Sequence, residues 1–178
     1  RLSRRILLPI ILNFSIFTHS YHQRNDFELF SYIVRITELK LYQFKNHLSK
    51  TWSFCDKINA FAGLNGVGKT NILDALYYLS TTKSYFNHSD QQLILFGKSE
   101  SSVYAKVEKE QEFEILASFG ESRKKTFKKN GKAYPRLVDH IGFLQAVFIT
   151  PYDISLVFEG SEERRRLIDF TISQLNKE

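Results

Sequence analysis

Hydrophobic and polar positions change period several times along this chain, and each change marks an element. From Val34 to Phe44 β-formers dominate, with Leu39 and Leu41 alternating against Lys40 and Tyr42, which predicts a strand. Asn46-His47-Leu48-Ser49 reads as a turn, and Thr51-Trp52-Ser53-Phe54 as a second strand antiparallel to the first. Lys57 to Ala62 predicts a short buried strand. The period then turns helical: Ile72, Leu73, Ala75, Leu76 and Leu79 predict a helix from about Lys69 to Ser80. Thr81 to Gln92 is polar and irregular, and Leu93 to Gly97 is a brief apolar piece ending at a glycine. Alternation then returns, with Val103, Ala105 and Val107 on one face of Ser102 to Lys109. Phe113, Ile115, Ala117 and Phe119 do the same within Glu112 to Phe119. Lys124 to Lys129 is a further strand closed by Asn130-Gly131, a strong two-residue hairpin signal. Residues of about 102–134 are therefore expected to form an antiparallel meander. After a short helix within Arg136 to Gly142, Gln145-Ala146-Val147-Phe148-Ile149 reads as a strand buried on both faces, ended by Pro151. Ser161 can cap a last helix, with Glu162 and Glu163 favourable in its first turn. Leu167, Ile168, Phe170, Thr171 and Leu175 give that helix an apolar side.

Residues 1–31 look foreign to this pattern. Arg1, Arg4 and Arg5 precede an apolar run, Ile6 to Leu12, that imitates a secretory signal. The run is too short to span a bilayer, and no cleavage-like site follows it. The expectation is an extension, disordered or non-native, with the domain proper occupying 32–178 and no membrane association. A chain of 178 residues is one domain or part of a larger one. Its hydrophobic share of 43% and aromatic share of 15% place it with globular chains, not disordered ones. The formal charge of +6 favours an anionic partner, nucleotide or nucleic acid. The single cysteine, Cys55, excludes an intramolecular disulfide framework and is read as a small buried hydrophobe. The five histidines are scattered, no Cys/His cluster has metal-ligand spacing, and none is assigned a role.

The chemistry concentrates in Gly63-Leu64-Asn65-Gly66-Val67-Gly68-Lys69-Thr70, which fills every fixed position of the phosphate-binding P-loop. A predicted strand before it and a helix after it are the context that motif requires. Its backbone amides can wrap a phosphate, and the helix N-terminus adds partial positive charge. Lys69 would reach the β- and γ-phosphates, and the Thr70 hydroxyl would serve Mg²⁺. Residues Gly63 to Asn71 are thus candidate nucleotide ligands. A second feature is basic: Arg123, Lys124, Lys125, Lys128, Lys129 and Lys132 crowd the expected hairpin. Such a cluster can neutralise DNA phosphates, giving salt-sensitive and sequence-independent affinity. The competing reading is a solvated edge that blocks aggregation. Arg164, Arg165 and Arg166 form a smaller basic group on the last predicted helix.

The order of elements, two antiparallel strands before the P-loop strand and a meander after its helix, resembles the ABC-type ATPase head. The expected fold is therefore α/β, the N-terminal half of such a P-loop NTPase head with an antiparallel β subdomain. Phe44-Lys45-Asn46 followed by Gly63 through Leu76 looks like the SMC/Rad-type branch of that class. In that branch the residues after the first strand's Phe lie by the nucleotide, which makes Lys45 and Asn46 further ligand candidates. Phe148-Ile149-Thr150-Pro151-Tyr152-Asp153-Ile154-Ser155-Leu156-Val157 and Gly160 through Asp169 are similar to the RecF family of recombination and repair proteins. Asn130-Gly131-Lys132 and Thr82-Lys83-Ser84 sit where that family has similar pieces. The family usually has an acidic residue where Tyr152 stands and a proline where Glu162 stands. The resemblance covers about Tyr32 to Glu178. It implies a cytoplasmic protein that binds ATP and Mg²⁺ and forms an ATP-dependent homodimer. It also implies binding to single- and double-stranded DNA at gaps and action with RecR- and RecO-type partners. Such proteins help load the recombinase in recombinational repair, replication restart and the SOS response. Asp153 follows the apolar run where such heads place a nucleotide-sensing loop, and is implied as a sensor, with a structural cap as the alternative. The family's arm, signature motif and Walker B carboxylates lie beyond Glu178, so no catalytic base can be named. ATP hydrolysis, weak and used as a switch, is not expected of this chain alone. The alternatives are another SMC-like P-loop ATPase or a P-loop phosphotransferase.

Overall fold

The computed structural model describes residues 11–12, 34–154 and 161–175. Its main body is a six-stranded antiparallel sheet in the order β3-β2-β5-β6-β7-β8. The strands are β2 (Arg35–Phe44), β3 (His47–Ser53), β5 (Glu100–Glu108), β6 (Glu112–Gly120), β7 (Thr126–Lys129) and β8 (Lys132–Ala133). The central register sets Leu39 opposite Ala105, and Ala105 opposite Ile115. Period-two alternation therefore places Leu39, Leu41, Val103, Ala105, Val107, Ile115 and Ala117 on one dry face, each at most 1% exposed. Helix α1 (Lys69–Thr81) lies over that face with Ile72, Ala75, Leu76, Tyr78 and Leu79 buried against it. Each fully buried aliphatic side chain contributes about 1.5–3 kcal/mol. The antiparallel β subdomain is thus the floor on which the P-loop helix rests.

Hairpin turns set the register. Asn130 (φ 49°) and Gly131 (φ 78°) both take left-handed backbone between Lys129 and Lys132, the geometry that makes Asn-Gly a hairpin signal. The β2–β3 turn differs from the expected Asn46–Ser49. It is Lys45-Asn46 alone, because Phe44 pairs directly with His47 and the strand resumes there.

Five other expectations are corrected. The strand before the P-loop, β4, is only Asn59–Ala60 and is not buried; Ile58 beside it is 55% exposed. A buried strand needs neighbours on both edges, and among the described residues β4 pairs only with β1 (Ile11–Leu12). The expectation for residues 1–31 otherwise lies outside the described residues. Gln145 to Ile149 forms no strand: Val147 and Ile149 are 64% and 68% exposed. Its backbone is instead held by a side chain of helix α2 (Ser161–Leu175). The Gln174 carboxamide accepts from Ala146 N at 3.0 Å and donates to Ala146 O at 3.4 Å. Of the expected apolar side of α2, Leu167, Ile168 and Thr171 are exposed, while Gln174, which is not counted on it, is buried. The side chains of Phe170 and Leu175 lie outside the described residues. Cys55 is exposed, not buried; it sits in a turn closed by Asn59, which accepts from Cys55 N and donates to Cys55 O. The helix expected within Arg136 to Gly142 contracts to one 3-10 turn, Leu137–His140. Among the described residues no helix is long and apolar enough to cross a membrane.

Candidate nucleotide site

The P-loop spans the gap between β4 and α1, and the start of α1 is shaped for an anion. Its N-cap is Gly68, with no side-chain cap and no acidic residue in the first turn. The helix dipole and the first-turn amides are therefore not neutralised by the chain itself. Lys69 Nζ donates to Gly63 O at 2.8 Å and to Leu64 O at 2.7 Å, so its ammonium lies across the loop. Thr70, next on the helix, is exposed.

The β2–β3 turn braces the loop. Asn46 Nδ2 donates to Gly66 O at 3.1 Å, and Asn71 Nδ2 donates to Asn46 Oδ1 at 2.8 Å. His47 Nε2 donates to Gly68 O at 3.2 Å, while its ring meets Trp52 edge-on at 5.2 Å. Gly68 is required here. Its φ is 97°, and a Cβ would stand 2.5 Å from both Asn46 Oδ1 and His47 Nε2. Of the predicted site residues, Asn46 is thus brought onto the Gly63–Asn71 stretch by direct contact.

Lys45 is placed differently from its neighbour. Its Nζ lies 2.7 Å from Asp74 Oδ2, with the two side chains 11% and 0% exposed. Asp74 also accepts from Ser84 Oγ at 2.7 Å and Tyr85 N at 2.8 Å. Tyr85 in turn donates its hydroxyl to Asp153 Oδ1 at 2.9 Å, and its ring packs on Phe148 at 4.7 Å. Asp153 also accepts from Thr150 N, which caps the 3-10 turn Pro151–Ile154. One buried carboxylate therefore ties the P-loop helix to the turn after β2 and to the loop after α1.

The basic cluster is divided. Lys125 points inward: it pairs with Asp90 at 2.8 Å, donates to Thr82 O at 2.8 Å, and lies over the Tyr78 ring. Lys129 sits over Phe113 and Phe143 at 4.1 and 3.8 Å. Arg123, Lys124 and Lys132 are exposed and Lys128 is half-buried. Arg164 and Arg165 are exposed on α2. Beneath the cluster, the Tyr78 phenol donates to Asp90 Oδ1 at 3.1 Å. Burial, with the Asp90 charge beside it, pushes that phenol well above the ordinary tyrosine value.

Sequence reasoning missed His47, Asp74 and Tyr85. Asp74 did carry a signal, a carboxylate between Leu73 and Ala75 on the apolar stripe of a helix. His47 carried none, because its contact with Gly68 depends on how the β2–β3 turn lands on the loop.

A P-loop helix on an antiparallel sheet, braced by the preceding hairpin, is the architecture of P-loop ATPase heads. The AAA ATPase domain family matches residues 35–174, and the chain belongs to that family. Within it the chain is a homologue of RecF, aligned with the amino-terminal part of those proteins. It is 44% identical to the DNA replication and repair protein RecF of Flavobacterium johnsoniae over 80% of this chain and 40% of that protein. It is 41% identical to the RecF of Cytophaga hutchinsonii over 78% of this chain and 37% of that one. The chain thus spans about two fifths of the length of the curated relatives it matches. A solved structure of the recombination mediator RecF with ATP superposes with a TM-score of 0.75 at 27% identity, covering 83% of this chain and 41% of that one. An SMC ATPase described as undergoing ATP-driven dimerisation superposes with a TM-score of 0.59 at 23% identity, covering 77% and 98%, and shares the fold.

Proposed function

We propose that this chain is the nucleotide-binding part of an ATP-switched, DNA-binding protein of recombinational repair and replication restart. In the whole protein, ATP binds at Gly63 to Asn71 with Lys69 on the β- and γ-phosphates and Asn46 bracing the loop. Thr70 is the protein's Mg²⁺ ligand; the ion would neutralise phosphate charge. The head extends from about residue 32, with 1–31 as an extension, and the protein works in the cytoplasm. The γ-phosphate then serves as a shared ligand between two heads, so that ATP favours a homodimer and its loss releases it. The dimer engages DNA at single-strand gaps, with Arg123, Lys124, Lys128 and Lys132 offering charge to the backbone. RecR- and RecO-type partners and help in loading the recombinase complete the reading.

The observation that carries it is the P-loop itself, which leaves the end of α1 uncapped while its walls are hydrogen-bonded to the β2–β3 turn. The names of the relatives support the assignment to repair. The test is a titration of gapped duplex DNA at one fixed salt concentration, with and without ATP and Mg²⁺, using a chain extended to the length of the RecF relatives. DNA affinity that rises with ATP and is lost in Lys69→Ala is the expected result. Nucleotide binding with no ATP-linked change in DNA affinity refutes the switch.

A further inference from the structure

Away from the P-loop, Phe96 stands 100% exposed on the turn between Leu93 and β5. One exposed apolar side chain is ordinary by itself. This one is carried on an anchored backbone. Leu95 N donates to Gln43 O at 2.8 Å, Lys45 N to Leu93 O at 2.7 Å, and Lys98 N to Leu95 O at 2.9 Å. Gly97, at φ 75°, takes the left-handed conformation that turns the chain back after the ring. A backbone so held has little freedom to lose on meeting a partner, and aromatic side chains are enriched at protein interfaces.

A cavity of about 670 Å³ opens beside that ring, and none of its lining residues belongs to Gly63–Asn71. Its apolar lining is Ile94 and Leu95, both half-buried. Its charged lining is Glu100, Glu121 and Lys98, all exposed. The end of the β5–β6 ladder brings the two carboxylates together, since Glu100 pairs with Gly120 and Glu121 N donates to Ser99 O at 2.9 Å. Gly120 permits the close approach: a Cβ there would stand 2.9 Å from Ser99 O. Among the described residues neither carboxylate takes part in an ion pair, and Lys98 neutralises neither of them. On a chain of formal charge +6, this cavity therefore holds two uncompensated negative charges beside an exposed ring. Gln43 adds an acceptor, because its amide nitrogen already donates to the Tyr42 hydroxyl at 3.0 Å and its carbonyl oxygen remains.

We propose that the cavity beside Phe96 docks an arginine side chain of a partner protein, with Phe96 as the stacking face and Glu100 and Glu121 as the acceptors. A guanidinium is a planar cation that stacks on aromatic rings and donates in a fork to carboxylates. Its hydrocarbon stem suits the apolar strip of Ile94 and Leu95. A lysine ammonium is a compact, strongly hydrated charge that uses the ring and the paired carboxylates less well. The same carboxylates repel phosphates, which sets this face apart from the nucleotide site and the basic hairpin.

The probe is acetyl-arginine amide, with the lysine and citrulline amides as controls; citrulline keeps the shape of arginine without its charge. Binding is followed by the NMR shifts of the Phe96, Gly97 and Glu121 amides in a chain extended to the length of the RecF relatives. A ligand of this size should bind with a Kd of roughly 1 mM. The lysine and citrulline amides should bind more weakly. Phe96→Ala should weaken arginine about fivefold, as for an exposed cation–π contact, while Phe96→Trp retains it. The pair Glu100→Gln/Glu121→Gln should weaken it at least as much. All three side chains are exposed, so these variants leave the core intact. No shift at those amides well above millimolar arginine, equal binding of either control, or unchanged affinity in Phe96→Ala overturns the site. Spermidine binding as tightly as the arginine amide would assign the cavity to free polycations. A nucleotide-independent dimer lost in Phe96→Ala would assign it to a second copy of the chain. Either result overturns the partner reading.

Discussion

Removing the Asp74 carboxylate should destabilise the protein more than removing both it and its cation. Asp74 is fully buried and receives three donors: Lys45 Nζ, Ser84 Oγ and Tyr85 N. In Asp74→Ala the Lys45 ammonium, 11% exposed, is left without its carboxylate. Breaking one side of a buried pair costs about 3–5 kcal/mol, because an uncompensated charge remains. The Tyr85 amide and the Ser84 hydroxyl also lose their acceptor, about 1–3 kcal/mol for a buried group. For a chain of this size each kcal/mol lowers the melting midpoint by about 2–4 °C, so a fall of about 6 °C or more is expected. Lys45→Met removes the cation and keeps the carboxylate with its two neutral donors. The double variant Asp74→Ala/Lys45→Met should be more stable than Asp74→Ala alone, with a coupling of about 1–3 kcal/mol. Urea unfolding at one pH and salt concentration gives all four corners of this cycle. If Asp74→Ala costs less than about 1 kcal/mol, or the two singles simply add, the reasoning fails: the pair would then be hydrated and not a closed joint.

Two further outcomes follow from the same geometry. Gly68→Ala forces a Cβ to 2.5 Å from Asn46 Oδ1 and His47 Nε2 at φ 97°. The left-handed backbone alone costs about 1–2 kcal/mol, and calorimetry should show at least a tenfold loss of ATP affinity, with an unchanged affinity refuting the bracing role. Tyr78, whose phenol is held above its ordinary value by burial and by Asp90, favours folding in its protonated form. Its contribution is complete below about pH 10 and shrinks as the pH rises above that. Burial also raises Tyr77 and Tyr134, so tyrosinate absorbance should show a group of phenols that ionises late in alkali, and Tyr78→Phe should remove one phenol from the part that appears only on unfolding.

What the sequence discloses here is mostly local. The P-loop is legible because its chemistry is written in adjacent residues. The strands after α1 are legible because Val103, Ala105 and Val107 alternate with polar neighbours, and because Asn130-Gly131 leaves little choice of turn. The run Gln145 to Ile149 misleads for a physical reason. An apolar run does not say what will cover it, and here the backbone of Ala146 is met by Gln174, a side chain 28 residues later. Helix α2 misleads in the same way, since Leu167 and Ile168 are apolar but exposed and Gln174 is polar but buried. Lys45 illustrates a different limit. Its place beside the P-loop follows from resemblance, yet its pairing with Asp74 joins two elements 29 positions apart, which no spacing rule reveals. The basic hairpin looks uniform in sequence, whereas Lys125 and Lys129 turn toward Asp90 and an aromatic pair while Arg123, Lys124 and Lys132 face solvent.

The contact between His47 and Trp52 has a practical consequence. The chain contains a single tryptophan, and its indole meets the His47 ring at 84° while His47 holds the carbonyl of Gly68. Any shift of the glycine loop that tugs on that carbonyl moves the imidazole against the only indole fluorophore. The molecule therefore carries its own optical gauge, two contacts from the phosphate cradle, which can be followed without attaching a dye.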